Sequence, residues 1–318
     1  MSPSKPRKID RSKVRLVSAR RRKSRVRVAE EATPHTPGGS LAEFLDGLPD
    51  QLGARDLREA IAAASAAHAR ERTLLWGLGA HVIKVGLAPV VVDLLERGWV
   101  TAMLLNGAGC VHDLELARMG RTSEDVAASL DDGSFGMAGE TAQLLNDAIR
   151  EGAEAGLGMG EAVGQAILEG DYPHKDRSIL AAAARLGVPA TVHVAIGTDI
   201  HHMHPGADGA ALGATSYRDF ETLTGVVATL SRGVVFNVGS AVILPEVFLK
   251  ALSLARNLGH AAHRFTSVDI DFIRHYRPRV NVVERPTRTG GRGLSLVGHH
   301  EILLPLLAAG LIESTESH

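Results

Sequence analysis

Two stretches hold most of the residues able to do chemistry. The first is Gly77-Leu-Gly-Ala-His-Val-Ile-Lys-Val-Gly86 and the second is Leu104-Leu-Asn-Gly-Ala-Gly-Cys-Val-His-Asp113. His81, Lys84, Asn106, His112 and Asp113 are unusual residues for plain connectors. The chain has seven lysines, and of these Lys84 alone sits among apolar neighbours. Desolvation there would lower its pKa and permit imine chemistry, while the plainer reading is an ammonium paired with a cofactor phosphate or with Asp113. His112 and Asp113 offer an acid/base group beside an anion, although Asp113 is equally suited to cap a helix. Cys110 is a possible nucleophile, but a lone cysteine in an apolar setting is more often a small packed residue.

A second cluster is rich in histidine. His193, Asp199, His201, His202, His204 and Asp208 fall within sixteen residues, and His299-His300-Glu301 follows later. Three or four of these converging at zinc-ligand distance would make a metal-dependent hydrolase or lyase. The alternative is a polar loop whose histidines bond a ligand or a neighbouring subunit. Arg277, Arg279, Arg285, Arg288 and Arg292 form a basic segment fit for carboxylate or phosphate, or for a subunit contact.

The elements that must position these groups follow from periodicity and punctuation. Ser40 caps a helix whose apolar face is Leu41, Phe44 and Leu45, and a second helix covers 54–71. Strands are expected at Thr73–Leu78, Val100–Leu105, Ala190–Ile196 and Gly233–Val238, with an extended piece near 264–268. Helices are expected at 87–97, through much of 114–170, and at 176–186, 217–230, 245–257 and 299–311. Arg279–Val283 reads as extended, and 288–293 as a basic glycine turn. Strands alternating with helices of ten or more residues predict an α/β fold, a parallel sheet with helices on both faces. Ligands in such sheets bind where strands end at their carboxyl termini. The polar turns fall there, at 79–86, 106–113, 197–208 and 239–246, with 266–271 as a possible fifth. No Gly-x-Gly-x-x-Gly directly opens a helix, so the usual dinucleotide fingerprint is absent.

Composition sets the outer bounds. The 318 residues are 45% hydrophobic but only 4% aromatic, so small side chains must build the core by close helix-on-sheet packing. No apolar run long enough to span a membrane and no secretory segment is evident. A single cysteine excludes an internal disulfide and fits a cytoplasmic setting. Residues 1–28 carry twelve Lys/Arg against Asp10, so with −1 overall, residues 29–318 net −12. The expected organisation is a disordered basic arm and linker over 1–40 and one α/β domain over 41–318. The arm would add weak, salt-sensitive affinity for polyanions.

At this point the order and spacing of five segments resemble the deoxyhypusine synthase family, across roughly residues 73–275. The 77–86 stretch is similar to the family's first cofactor turn, with a Ser-Asn pair falling at Ala80-His81. Asn106-Gly-Ala-Gly-Cys-Val-His-Asp113 looks like its Thr-Thr-Ala-Gly-Gly-Val-Glu-Glu motif. Ile196-Gly-Thr-Asp199 is similar to its Leu-Thr-Asp-Gly turn, with Asp199 in the place of the adenosine-ribose carboxylate. Gly239-Ser-Ala-Val-Ile-Leu-Pro-Glu246 stands at its Gly-rich strand end, and Phe265-Thr-Ser-Val-Asp-Ile-Asp271 at its Asn-Thr-Ala-Gln-Glu-Phe-Asp stretch.

The resemblance implies a Rossmann-like, NAD-binding fold and a homotetramer with sites between subunits. It implies oxidation of a polyamine by NAD, an imine, and aminobutyl transfer to an amine acceptor. The cofactor contacts it implies are Gly79, His81, Asn106, Gly107, Ala108, Gly109, Thr198, Asp199, Gly239, Ser240, Thr266 and Asp269. The family's catalytic lysine would fall in 278–300, where this sequence has none, and its histidine base near Pro245 or Glu246. The expected enzyme is therefore a divergent member that oxidises an amine or alcohol carbon with NAD. Lys84 would replace the missing amine or anchor the cofactor, and Glu246 or His112 would serve as base, with Asp113 beside it. The competing expectations are the metal-dependent enzyme above and a nucleotide-binding module without catalysis.

Overall fold

Leu74–Leu78 is apolar at all but its glycine, and all five residues are buried. A strand buried on both faces belongs in the middle of a helix-covered parallel sheet. In the computed structural model, which describes residues 8–316, this strand (β1) pairs in parallel with β2 (Ala102–Asn106) on one side. On the other side it pairs with β4 (Val234–Val238). β3 (Ala190–His193) extends the sheet beyond β2, and β5 (Thr266–Asp271) and β6 (Arg292–Val297) extend it beyond β4. The order is β3-β2-β1-β4-β5-β6, with every pairing parallel. The chain thus reverses its direction of travel between β1 and β4, and that reversal opens a crevice at their carboxyl ends.

Thirteen α-helical segments accompany the sheet among the described residues. They are α1 (Leu41–Asp46), α2 (Leu52–His68), α3 (Ala80–Lys84), α4 (Ala88–Glu96), α5 (Gly107–Met119), α6 (Val126–Leu130) and α7 (Gly139–Ala155). Then come α8 (Met159–Glu169), α9 (Ile179–Leu186), α10 (Gly209–Ala228), α11 (Ile243–Asn257), the single turn α12 (Tyr276–Pro278) and α13 (His300–Glu316). Ser40 caps α1 as its sequence predicts: its hydroxyl accepts from the Glu43 N–H, and the Glu43 carboxylate accepts from the Ser40 N–H.

Each sheet face has its own apolar layer. Trp76 stacks on Phe236 with ring centroids 4.1 Å apart, and its indole N–H donates to the Trp99 carbonyl at 2.9 Å. These lie in the layer with Val238, Ile270 and the α13 residues Leu304, Leu307 and Leu311. The opposite layer joins Leu75, Leu104 and Val235 to Phe248 and Leu252 of α11. At the carboxyl end of this second face the side chains turn polar. Asn237 stands there on β4, with Asp269 and Asp271 on β5.

Several boundaries differ from the sequence expectation. Arg279–Glu284 is a π-helical turn rather than extended chain, because it lies against β5 with the Val282 carbonyl accepting from the Ser267 hydroxyl at 2.7 Å. The basic glycine segment leads into β6, whose pairing to β5 is a long-range contact that local sequence does not announce. The 106–113 turn is the start of α5, so its residues are helical. Lys84 likewise closes the short α3 instead of lying in a turn. Residues 8–29 are exposed throughout, and the chain first docks at Glu30, whose carbonyl accepts from the Asp50 N–H at 3.0 Å and whose carboxylate accepts from the Gln51 amide. Among the described residues no helix is long and apolar enough to cross a membrane.

Candidate functional site

The crevice floor is made by two glycines. A Cβ on Gly79, which follows β1, would fall 2.1 Å from the Gly239 carbonyl oxygen, which follows β4. Gly239 also requires its lack of side chain for conformation, with φ at +68°. Ser240 beside it is buried, and its hydroxyl accepts from the Leu244 N–H at 3.3 Å. The Gly79 N–H bonds the Val238 carbonyl at 2.8 Å, so the sheet ladder runs right into the turn.

Next to this floor lies the β2 end. Asn106 caps α5, its side-chain oxygen accepting from the Gly109 N–H at 3.2 Å. Asp199 reaches across from the segment after β3 and sits on the same helix start. A Cβ on Gly107 would lie 2.1 Å from the Asp199 Oδ2. The Ala108 N–H donates to Asp199, and burial pushes this carboxyl up to about 6 against that bond and one from Thr198. Asp199 Oδ2 is buried without a hydrogen-bond partner. The close approach explains why position 107 must be glycine, and Gly109 is similarly confined against Leu105.

On the β1–β2 side, His112 on α5 faces Lys84. Its Nδ1 lies 2.6 Å from the Thr122 hydroxyl, which itself donates to Glu115. With that hydroxyl proton committed, His112 must donate from Nδ1, which leaves Nε2 as a free base. Burial, and then the charge of Lys84, push His112 down to about 4, so it is neutral at pH 7. Lys84 itself is exposed, so the desolvation required for an imine-forming lysine is missing.

The remaining sequence candidates divide. Asp113 is buried and turned away to the N-terminus of α9. It accepts from the Ser178 hydroxyl at 2.5 Å and from the Ile179 and Leu180 N–H groups at 3.0 Å each. It is a cap for a neighbouring helix and not a partner of His112; burial pushes it up to about 6 against these three bonds. Glu246 on α11 is tied to Lys250, to Asn281 at 2.9 Å and to Arg277 at 3.3 Å. The Lys250 hydrogen bond leads in holding it below the usual range for a glutamate, which makes it a poor base. Thr266 opens β5, about 16 Å from the carboxyl end at a strand's rise per residue, and so lies outside the site. Cys110 is buried, its thiol pushed well up by burial, and it packs in the core.

The histidine segment does not build a metal centre. Among the described residues no group of three or more His, Cys, Asp or Glu side chains comes together in a metal-ligand set. His193 meets Thr191 at 3.0 Å, His204 Nδ1 accepts from the Gly206 N–H, and His202 Nδ1 accepts from the Gly197 N–H at 3.1 Å. These rings fold the segment's own backbone.

Asp269 stands near the carboxyl end of β5, opposite Asn237 of β4. It is buried, accepts from the Asn237 amide at 2.8 Å, and is pushed up to about 6 by burial. Two residues on, Asp271 ends β5 on the same strand face. Its Oδ1 lies 3.8 Å from His300 Nε2 and its Oδ2 3.7 Å from His275 Nε2. His300 in turn stands edge-on to His81, with centroids 5.6 Å apart at 66°. His275 lies four residues after Asp271, whereas His81 and His300 come from distant segments whose approach the sequence does not show.

No protein-family model and no curated protein matches the chain. Solved structures do share its fold. The ternary complex of AgrE with ornithine and NAD+ aligns with a TM-score of 0.52 at 14% identity, over 85% of this chain and 35% of that one. A putative deoxyhypusine synthase from Entamoeba histolytica aligns at 0.51 and 10% identity, over 89% and 96%. ArgZ, an arginine dihydrolase from the ornithine-ammonia cycle in cyanobacteria, aligns at 0.50 and 17%, over 82% and 32%. This chain therefore spans about a third of the length of AgrE and ArgZ. At these identities the likeness concerns the fold, a Rossmann-like α/β sheet.

Proposed function

We propose that the protein is an NAD-dependent enzyme that oxidises the carbon of an amine, a divergent relative of the deoxyhypusine synthases. The observation that carries the cofactor reading is Asp199. It is a buried carboxylate with one unpartnered oxygen, held at the β2 end beside the crevice, and it suits the hydroxyls of an adenosine ribose. An orphaned buried acceptor needs a donor, and a ribose diol supplies two. Gly79 and Gly239 bring the two strand ends together backbone to backbone, with the His300 ring against Gly239, and Gly107, Ala108 and Ser240 lie nearby. NAD, when bound, supplies the hydride acceptor. The fold shared with AgrE, solved with ornithine and NAD+, supports this reading, as does the putative deoxyhypusine synthase.

Amine oxidation is preferred to alcohol oxidation because Asp269 and Asp271 stand near the carboxyl end of β5, and their charges favour a cationic substrate. His112 keeps a free Nε2 on the other side, but burial and then Lys84 hold it down to about 4, which makes it a weak base. Lys84, exposed beside it, is suited to anchor a cofactor phosphate, and transfer of an aminoalkyl group to an acceptor would follow only if it enters the site. A homo-oligomer, with a tetramer expected, would cover the exposed apolar rim of Phe272, Ile273 and Tyr276 at the strand ends.

The test is calorimetric titration of NAD, followed by absorbance at 340 nm on adding spermidine, putrescine or ornithine. Saturable NAD binding with an amine-dependent rise supports the proposal. NAD binding with a response only to alcohols moves the reaction to the alternative, and no NAD binding ends it.

A further inference from the structure

One group of titratable side chains stands at the strand ends on the far side of Gly239 from Asp199 in the sheet order. It gathers around Asp271, buried at the end of β5. Two imidazoles flank its carboxylate within 4 Å, His300 on Oδ1 and His275 on Oδ2, and the Phe272 N–H donates to Oδ1 at 2.8 Å. His300 is buried, opens α13, and lies 3.2 Å through Nε2 from the Ile270 carbonyl. A carbonyl can only accept, so Nε2 bears the proton and Nδ1 is left as the lone-pair nitrogen. The ring also covers Gly239, where a Cβ would come 3.0 Å from Nε2. Edge-on to it stands His81, which is exposed on α3 directly after the Gly79 turn. Phe272 closes the flank, edge-on to both His275 and His300.

We propose that His81, His300 and Asp271 form a proton relay serving the oxidised substrate, with His81 as the catalytic base and the other two as positioning residues. The proposal rests on the NAD-dependent amine oxidation argued above. The relay runs from a solvent-facing ring to a buried one whose Nε2–H the Ile270 carbonyl fixes, with the Asp271 carboxylate 3.8 Å away. The two rings are close enough to exchange a proton directly or through one water. In the balanced step the substrate ammonium gives one N–H proton to His81, and the carbon beside the nitrogen loses hydride to NAD+. The products are an iminium, NADH and a protonated relay. His81 passes its proton to His300, whose lone pair is on Nδ1 and whose Nε2 lies 3.8 Å from the Asp271 carboxylate. The titratable groups around the relay are His81 from α3, Asp271 and Asp269 from β5, and His275 after it. His299 and Glu301, both exposed, flank His300 on its own segment.

The experiment uses full-length protein with NAD and putrescine. His81→Ala, at an exposed position, is expected to lower kcat about 100-fold with KM changed less than threefold, and added imidazole is expected to restore part of it. His300→Gln is expected to lower kcat about tenfold alone and to add nothing in the His81→Ala background, as members of one unit do. Without cofactor and at about pH 6, carbethoxylation of His81 by diethyl pyrocarbonate, located by mass spectrometry, is expected to quicken at least twofold in Asp271→Asn, because the reagent acylates only the unprotonated ring. Putrescine oxidation that survives His81→Ala, or fully additive losses in the double variant, or an unchanged His81 modification rate overturns the relay while leaving the cofactor reading standing. Failure of the wild type to bind NAD overturns both.

Discussion

Asp199 places its Oδ2 2.1 Å from the point where a Cβ on Gly107 would stand. The carboxylate fills the space that the glycine leaves open, over the first turn of a 13-residue helix whose Ala108 N–H it accepts. Local sequence at 107 and remote sequence at 199 are therefore one feature. The helix start tolerates the buried charge, since its free N–H groups carry partial positive charge.

Gly107→Ala forces that carboxylate away. The expected outcome is a loss of NAD affinity of more than tenfold, with overpacking that costs about 1–3 kcal/mol of stability. Calorimetric titration and thermal melting measure the two. Unchanged NAD affinity would remove Asp199 from the ribose role.

Gly79→Ala drives a methyl into the Gly239 carbonyl, where the approach of 2.1 Å leaves only backbone to move. The β1 and β4 ends must part, and destabilisation of about 1–3 kcal/mol is expected. A melting temperature equal to that of the wild type would contradict the close packing of the crevice floor.

Asp113→Ala removes the acceptor of three hydrogen bonds at the start of α9. Loss of the cap is expected to cost about 2 kcal/mol, since helix N–H groups would be left buried and unpaired. Urea unfolding measures it. A catalytic role would instead leave the midpoint in place and lower turnover.

His193 gives a pH signature. Burial pushes it from 6.5 down to about 4. The unfolded chain therefore takes up this proton near 6.5, well before the folded protein does. The stability tied to His193 is complete above pH 6.5 and is lost as pH falls from 6.5 to 4, by up to about 3 kcal/mol. His193→Gln removes that component, so the fall in urea midpoint between pH 7 and pH 4.5 is expected to shrink. An equal fall in both proteins would contradict the depressed value.

Residues 1–28 carry a net charge of +11. Removing them is expected to weaken retention on heparin and to flatten the salt dependence of DNA binding. Retention that is unchanged would place any polyanion affinity in the folded part.

Much was legible before folding because it is local. The alternation of apolar strands with capped helices gave the α/β class, and Ser40 ahead of Leu41, Phe44 and Leu45 gave the first helix start. Glycine-bearing turns after β1, β2 and β4 marked the end of the sheet where a ligand fits. The charge imbalance set the arm apart from the rest. The extended piece near 264–268 was legible too, but pairing with β4 and β6 carries β5 on to Asp271 and so puts Asp269 and Asp271 on one face.

What the tertiary structure alone decided are the pairings across the chain. The order β3-β2-β1-β4-β5-β6 puts residues 79 and 239 in contact, and no local signal specifies which strands adjoin. It turned Asp113 from a neighbour of His112 into the cap of α9, and left Lys84 in water. It made a strand of 292–297 through pairing with β5, where the sequence shows only arginine and glycine followed by a short apolar run. It brought His81 against His300 and His300 against the Asp271 carboxylate, from segments up to 219 positions apart. Periodicity and capping depend on neighbours within a few residues, whereas a site depends on which distant surfaces are buried together, and only the packed sheet fixes that.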